Sequence, residues 1–229
     1  MFREGGTLKE VKILVDGASD GPTNMGADSA LLEQAERGIP GGRVYSWSET
    51  WVTLGCFQKA ERELVPGLEI PTIVRPTGGK GVLHGRDVTV GLAVPLELLN
   101  LEEAERNPNS VYACLGAPIA KALTACGLPS VLGRDTQFAG RGVKTGDCFG
   151  YISPGDIVDP VSGIKRCGCA LKVTRTAALL QGSIPNGRPP IDPARVFMRP
   201  GPVILQEWDA TFFARELQDA LRCVIGVKI

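Results

Sequence analysis

Arg75-Pro-Thr-Gly-Gly-Lys-Gly-Val-Leu-His84 puts an arginine, three glycines, a lysine and the only histidine of the chain into ten residues. A segment this rich in glycine is costly to order and adds little to a core. Its use is to bring backbone N–H groups and positive charge close to a polar or anionic ligand. Directly after it, Val88, Val90, Leu92 and Val94 alternate with Thr89, Gly91 and Ala93. Period two over that length predicts a strand with one strongly apolar face, ended by Pro95. A strand after the loop excludes a Rossmann fingerprint, which needs a helix there. Lys80-Gly-Val lacks the Ser or Thr of a P-loop.

Working outward, Val11 to Val15 predicts a strand ending at Asp16-Gly17. Thr23 or Asn24 is placed to cap a helix running to Gly38, with Ala27, Leu31, Leu32 and Ala35 on one stripe. Arg43–Trp47 and Trp51–Leu54 read as strands, Lys59–Leu64 as a helical turn and Pro71–Arg75 as a short strand. Downstream, Leu96–Arg106 predicts a short helix. Ser110–Cys126 predicts a longer one that Pro118 should kink or interrupt and Gly127 should stop. Ile157-Val158 should pair with Arg166–Val173, and Ala177–Ile184 should pair next. The proline-rich stretch Pro185–Pro202 is irregular. A last helix, Trp208–Cys223, carries Phe213, Leu217 and Leu221 on one stripe. Hairpin-like strands mixed with separated helices favour α+β over a doubly wound parallel sheet.

The chain has 229 residues, 43% of them hydrophobic and 22% charged, with zero formal net charge. That suffices for one domain spanning 1–229. Zero charge without a long basic run argues against nucleic-acid binding through phosphates. Met1-Phe-Arg-Glu-Gly-Gly lacks the apolar run of a signal peptide, and no stretch reaches membrane-spanning length. A cytoplasmic monomer without a membrane partner is the default expectation. Seven scattered cysteines do not form a disulfide framework. Cys167 and Cys169 are spaced too closely for a structural zinc site, and His84 has no second histidine, so no metal is expected.

Gly146-Asp-Cys-Phe-Gly150 flanks Cys148 with glycines that permit close approach of a substrate, and Gly163-Ile-Lys-Arg-Cys-Gly-Cys-Ala170 follows. Taken one at a time, these are weak signals. A glycine loop is often just a turn, and Lys165 would ordinarily be a solvated lysine.

Their succession is more informative. Met25, Ala27, Asp28 and Leu31 come first. Arg43–Trp47, Val52–Gln58, Arg75–His84, Gly163–Ala170 and Leu180-Gln-Gly-Ser-Ile184 follow in order. This pattern resembles the lipoate–protein ligase A, octanoyltransferase and biotin ligase superfamily over residues 11 to 185. Cys148-Phe149 resembles the cysteine-phenylalanine pair of the cysteine-dependent octanoyltransferases. The resemblance implies a catalytic domain of mixed, mainly antiparallel sheets flanked by helices. It implies that Cys148 carries an acyl thioester and that Lys165 handles protons. Arg75, Thr77, Gly78, Gly79, Lys80, Gly81, Leu83, His84, Gly168 and Ala170 would then bind the substrate.

The implied donor is octanoyl–acyl carrier protein or an acylated lipoyl-dependent protein. The implied acceptor is the lysine of a lipoyl domain or a glycine-cleavage H-type protein. Transfer would need no cofactor. An ATP-dependent lipoate ligase, using ATP and Mg to make an acyl-adenylate, is the main alternative, and a degenerate acyl- or carrier-binding module is another. Lys80 stands where the family commonly has a small residue. Gln181 stands where it often has a histidine. On this reading Lys165 lowers the Cys148 pKa, while burial and the nearby cations Arg166 and Lys80 depress its own. Leu83 and the strand after it would wall the acyl tail.

Overall fold

The structure, a computed structural model, describes residues 11–224; the N-terminal segment Met1–Gly6 lies outside them. Ten strands and four α-helices follow in the order β1 (Lys12–Ser19), α1 (Gly21–Glu36), β2 (Gly41–Trp47), β3 (Trp51–Leu54), α2 (Ala60–Glu63), β4 (Thr72–Val74), β5 (Val82–His84), β6 (Asp87–Pro95), α3 (Pro108–Ala125), β7 (Val131–Leu132), β8 (Ile157–Val158), β9 (Lys165–Val173), β10 (Ala177–Pro185) and α4 (Ala210–Val224). Seven strands form one sheet in the order β1-β2-β6-β10-β9-β8-β7, and three form a second, β4-β3-β5. Apart from the parallel pairs β1–β2 and β3–β4, the ladders are antiparallel. The α+β architecture expected from the sequence is the one observed.

The alternation in β6 sets the layers. Val88, Val90, Leu92 and Val94 enter the main core with Val111, Leu115, Ile119 and Leu123 of α3 and Phe213, Leu217 and Leu221 of α4. The opposite face is covered too. Ala93 packs with Ala177, Leu179 and the α1 residues Leu31, Leu32 and Ala35. This second face is made of small residues because α1 comes very close. A Cβ at Gly91 would lie 2.7 Å from Asp28 Oδ1. β10 alternates likewise. Ala178, Leu180 and Ile184 face the main core, while Gln181 and Ser183 face the space between the two sheets.

Three local expectations need correction. Asp20, not Thr23 or Asn24, caps α1 by accepting from the Thr23 N–H. Asn24 is instead fully buried, its amide donating to Ser19 O and Ser46 O. Leu96–Arg106 forms two short 3-10 turns, Leu96–Leu98 and Glu103–Glu105, with Leu96 and Leu99 in the core and Leu98 and Leu101 packed against it. α3 continues through Pro118 as one helix. Its start is marked by the Asn107 cap and by Pro108, whose missing N–H costs nothing in the first turn.

Candidate active site

Cys148 begins a 3-10 turn, Cys148–Gly150, capped by Asp147. The Asp147 carboxylate accepts from Phe149 N at 2.9 Å and from Gly201 N at 2.7 Å. This ties the turn to the proline-rich segment. The turn is also stitched to the glycine loop. Gly81 N donates to Gly146 O at 2.7 Å, and Cys148 N donates to Gly81 O at 2.8 Å. Two segments separated by about 70 residues thus share a two-hydrogen-bond backbone bridge.

The Cys148 sulfur rests on β9. A Cβ on Gly168 would lie 2.6 Å from Cys148 Sγ and 3.3 Å from Lys165 Cε, so the thiol occupies space that any other residue would fill. A regular strand would put Lys165 and Gly168 on opposite faces. Here the pairing with β8 slips, setting Ile157 opposite Cys167 and Val158 opposite Lys165, and this bulge brings both positions beside Cys148.

Lys165 is buried. Its Nζ donates to Cys148 O at 2.7 Å, Tyr151 O at 3.1 Å and Cys148 Sγ at 3.4 Å. It also forms an ion pair with Asp156 Oδ2 at 2.8 Å. Burial pulls the ammonium down, but the Cys148 and Asp156 charges outweigh it and the net shift is upward. Burial pushes the Cys148 thiol up, and Lys165 and Arg75 only partly offset this because Asp156 and Asp147 oppose them. The sequence-based expectation of a lysine and a cysteine both shifted down is therefore corrected. Arg166 does not assist Lys165. Its guanidinium bonds Asp159 at 2.7 Å and Gln206 at 3.2 Å.

Arg75 lies beneath the glycine loop rather than facing solvent. Its Nη2 donates to Gly78 O at 2.6 Å and Lys80 O at 2.7 Å, and its Nε donates to Thr77 Oγ1 at 3.1 Å. Gly79 has φ +84°, a conformation that favours glycine. Gly55 must also lack a side chain, since its Cβ would lie 2.2 Å from Gly79 O. With two carbonyls turned toward Arg75, the N–H groups of Gly78, Gly79 and Lys80 have no hydrogen-bond partner among the described residues. Gly81 N is committed to Gly146 and is not available. Lys80 is half-buried and forms no ion pair among the described residues.

Between the sheets lies a pocket reaching Cys148. Its lining includes Met25, Tyr45, Trp47, Arg75, Gly168 and Ala170. β5 contributes Val82 and His84 to it. Leu83, the middle residue of that strand, points the other way and packs on the cluster of Val52, Leu54, Leu64, Val196 and Phe197. The expected acyl wall at Leu83 is thus misplaced by one residue, which in a strand means the wrong face.

His84 is fully engaged. Nε2 meets Thr53 Oγ1 at 2.8 Å, Nδ1 meets Asp87 Oδ2 at 2.8 Å, and the ring stacks on Trp47 with centroids 3.9 Å apart. Asp87 also accepts from Ser183 Oγ at 2.7 Å. The geometry gives His84 a bracing role in the pocket wall. Cys167 and Cys169 share one face, their sulfurs 3.6 Å apart; the six described cysteines are free thiols. No group of three or more His, Cys, Asp or Glu residues suited to a metal occurs among the described residues, nor is any described helix long and apolar enough to cross a membrane.

Sequence reasoning missed Asp156 and Asp147. Asp156 reads as an ordinary residue of the Ser153-Pro-Gly-Asp156 turn, where it accepts from Ser153 N. Its ion pair with Lys165 arises only when the β8–β9 hairpin closes. Asp147 had a usable signal, an aspartate immediately before a short turn.

No protein-family model matches the chain. Comparison with characterised sequences finds "Octanoyltransferase LipM" of Halalkalibacterium halodurans, 28% identical over 186 residues, covering 76% of this chain and 64% of the relative. The same-named protein of Exiguobacterium sibiricum is 29% identical over 191 residues, covering 78% and 66%. The chain therefore spans just under two thirds of the length of these relatives. Among solved structures, lipoate-protein ligase A bound with ATP superposes with a TM-score of 0.62 at 19% identity, covering 93% of this chain and 82% of that one. The Thermoplasma acidophilum protein Ta0514, solved with bound lipoic acid, superposes with a TM-score of 0.69 at 16% identity, covering 94% and 86%. The chain is thus similar in sequence to these octanoyltransferases and in fold to lipoate-protein ligases. In this fold the glycine loop, the Cys148 turn and β9 meet at one point.

Proposed function

We propose that this chain is a cysteine-dependent acyltransferase of protein lipoylation, moving an octanoyl or lipoyl group to a lipoyl-domain lysine. The observation that carries the reading is the Cys148 sulfur lying 3.4 Å from Lys165 Nζ, against the side-chain-free Gly168 and open to the pocket. The donor is octanoyl–acyl carrier protein or an acylated lipoyl-dependent protein. The acceptor is a lipoyl domain or a glycine-cleavage H-type protein. The enzyme works as a cytoplasmic monomer, and transfer requires no cofactor.

In the first step, with octanoyl–acyl carrier protein as donor, the Cys148 sulfur attacks the thioester carbonyl. The S–C bond of Cys148 forms and the donor C–S bond breaks. The thiol proton of Cys148 ends on the leaving thiol, with Lys165 placed to donate to that thiolate and recover the proton from Cys148. With an acylated lipoyl-dependent protein the attack falls on an amide, whose C–N bond breaks as the thiol proton passes to the departing lysine amine. In the second step a neutral acceptor lysine attacks the acyl-cysteine, and its proton restores the Cys148 thiol. Atoms and charge balance without ATP. The free N–H groups of Gly78, Gly79 and Lys80 serve as donors to the developing oxyanion. Burial of Cys148 also excludes water, which would otherwise hydrolyse the thioester. Each buried methylene of the acyl tail contributes about 0.8 kcal/mol, so pocket depth beyond Val82 and Ala170 selects chain length.

The test is intact mass after mixing with octanoyl–acyl carrier protein in the absence of ATP. The expected result is a hydroxylamine-sensitive octanoyl adduct that moves to a lipoyl domain on chase. Absence of the adduct, together with acylation from free octanoate only when ATP and Mg are added, would establish the ligase alternative.

A further inference from the structure

We infer that Asp28, Gln181 and Thr77 form a positioning relay that holds the glycine loop against the Cys148 turn from the opposite side of the pocket. The hydrogen bonds run in one direction. Arg75 Nε donates to Thr77 Oγ1 at 3.1 Å, Thr77 Oγ1 donates to Gln181 Oε1 at 2.6 Å, and Gln181 Nε2 donates to Asp28 Oδ2 at 2.6 Å. Asp28 ends the chain and also accepts from Tyr45 OH at 2.8 Å and Arg43 Nη1 at 3.1 Å. Asp28 and Thr77 are fully buried and Gln181 nearly so.

The direction is forced by chemistry. A guanidinium can only donate and a carboxylate can only accept. The Thr77 hydroxyl receives from Arg75 and must pass its own proton on to Gln181, whose amide is thereby oriented with nitrogen toward Asp28. Arg75 cannot rotate without breaking this series. Its two Nη2 bonds to Gly78 O and Lys80 O then keep those carbonyls turned inward and the intervening N–H groups turned outward. The same fixed loop offers Gly81 N and Gly81 O to the Cys148 turn.

The residue at 181 is the weak link and the informative one. Glutamine has an acceptor for Thr77 and a donor for Asp28, and a neutral histidine has the same pair on its two ring nitrogens. Either side chain therefore transmits the order from Asp28 to Thr77, whereas an apolar residue of similar length fills the space and transmits nothing. The mechanical part of this inference is independent of the reaction; its effect on rate rests on the acyl-transfer reading.

Amide hydrogen exchange of the full chain separates the two. In Gln181→Met, exchange at Gly81 and Cys148, the amides that dock loop to turn, is expected to accelerate by roughly tenfold or more, while Val90 and Leu92 in the central sheet stay protected as before. Gln181→His is expected to return both amides to within about threefold of the parent. In the same variants, Cys148 acylation at saturating donor should fall by roughly ten- to a hundredfold in Gln181→Met, with the half-saturating donor concentration changed much less. If Gln181→Met does not fold, Thr77→Val cuts the same relay with nearly the same volume and is read the same way. Unchanged exchange at Gly81 and Cys148, or acceleration spread uniformly over the sheet, would overturn the relay. Failure of the parent to form an acyl-cysteine, with exchange still shifted locally, would overturn the acyl-transfer reading and leave the relay standing.

Discussion

Two clusters in the same pocket wall look equally catalytic on residue types. One is Thr53–His84–Asp87 with Ser183, and the other is Cys148–Lys165–Asp156. In the first, both ring nitrogens of His84 are bonded, the ring is clamped on Trp47, and the Asp87 carboxylate already serves several donors. Nothing is left over to react. In the second, the sulfur shares one long contact with Lys165, and Gly168 leaves its approach clear. Unspent bonding capacity facing open space, rather than the presence of a His–Asp pair, separates a reactive centre from a brace.

The sharpest way to break this distinction is Cys148→Ala. All thioester adduct should vanish by intact mass, with a melting temperature close to the parent's. An adduct surviving elsewhere would remove Cys148 from the chemistry. Next in size is Lys165→Met. It orphans a buried carboxylate and should cost about 3 kcal/mol or more in denaturant unfolding, and pairing it with Asp156→Asn should recover much of that loss. If the double variant is no more stable, the ion pair is not the reason Lys165 is tolerated inside. Gly168→Ala should keep the fold but displace the sulfur, lowering acylation at saturating donor by up to about a hundredfold. His84→Asn should act oppositely, costing about 2 kcal/mol of stability through unpaired neighbours while lowering acylation by less than about tenfold. A larger rate loss than stability loss would make His84 more than a brace.

The smallest expected effect is electrostatic. The pH midpoint for Cys148 alkylation should lie above the ordinary thiol value of about 8.5, because burial disfavours the thiolate. Asp156 raises the midpoint further by repelling negative charge, so Asp156→Asn should lower it. Lys165→Met should raise it. A shift of the opposite sign in either variant would mean that Lys165 and Asp156 do not set the charge at the sulfur.

Much of this was legible in the chain, for local reasons. β6 was readable because its two faces have different jobs: Val88, Val90, Leu92 and Val94 enter the core while Gly91 and Ala93 admit α1. The pairing of β8, β9 and β10 followed from short connections, and the glycine loop from its composition. Cys148 and Lys165 were singled out by resemblance and not by spacing. What the residues alone could not give was their setting. The Leu83 assignment failed by one residue in a strand, and the Leu96–Arg106 segment formed two separate 3-10 turns rather than one helix.

By itself the sequence determined the elements, the layering and the identity of the loop, since alternation, caps and glycine content act over a few residues. Only the tertiary structure decided which groups are reactive. Thr77 meets Gln181 across 104 residues and Gln181 meets Asp28 across 153, and no local period encodes such pairs. The same holds for the thiol seated on Gly168 and the ammonium held by Asp156. Charge state and available valence are properties of a site's surroundings, and these surroundings exist only once the two sheets close on each other.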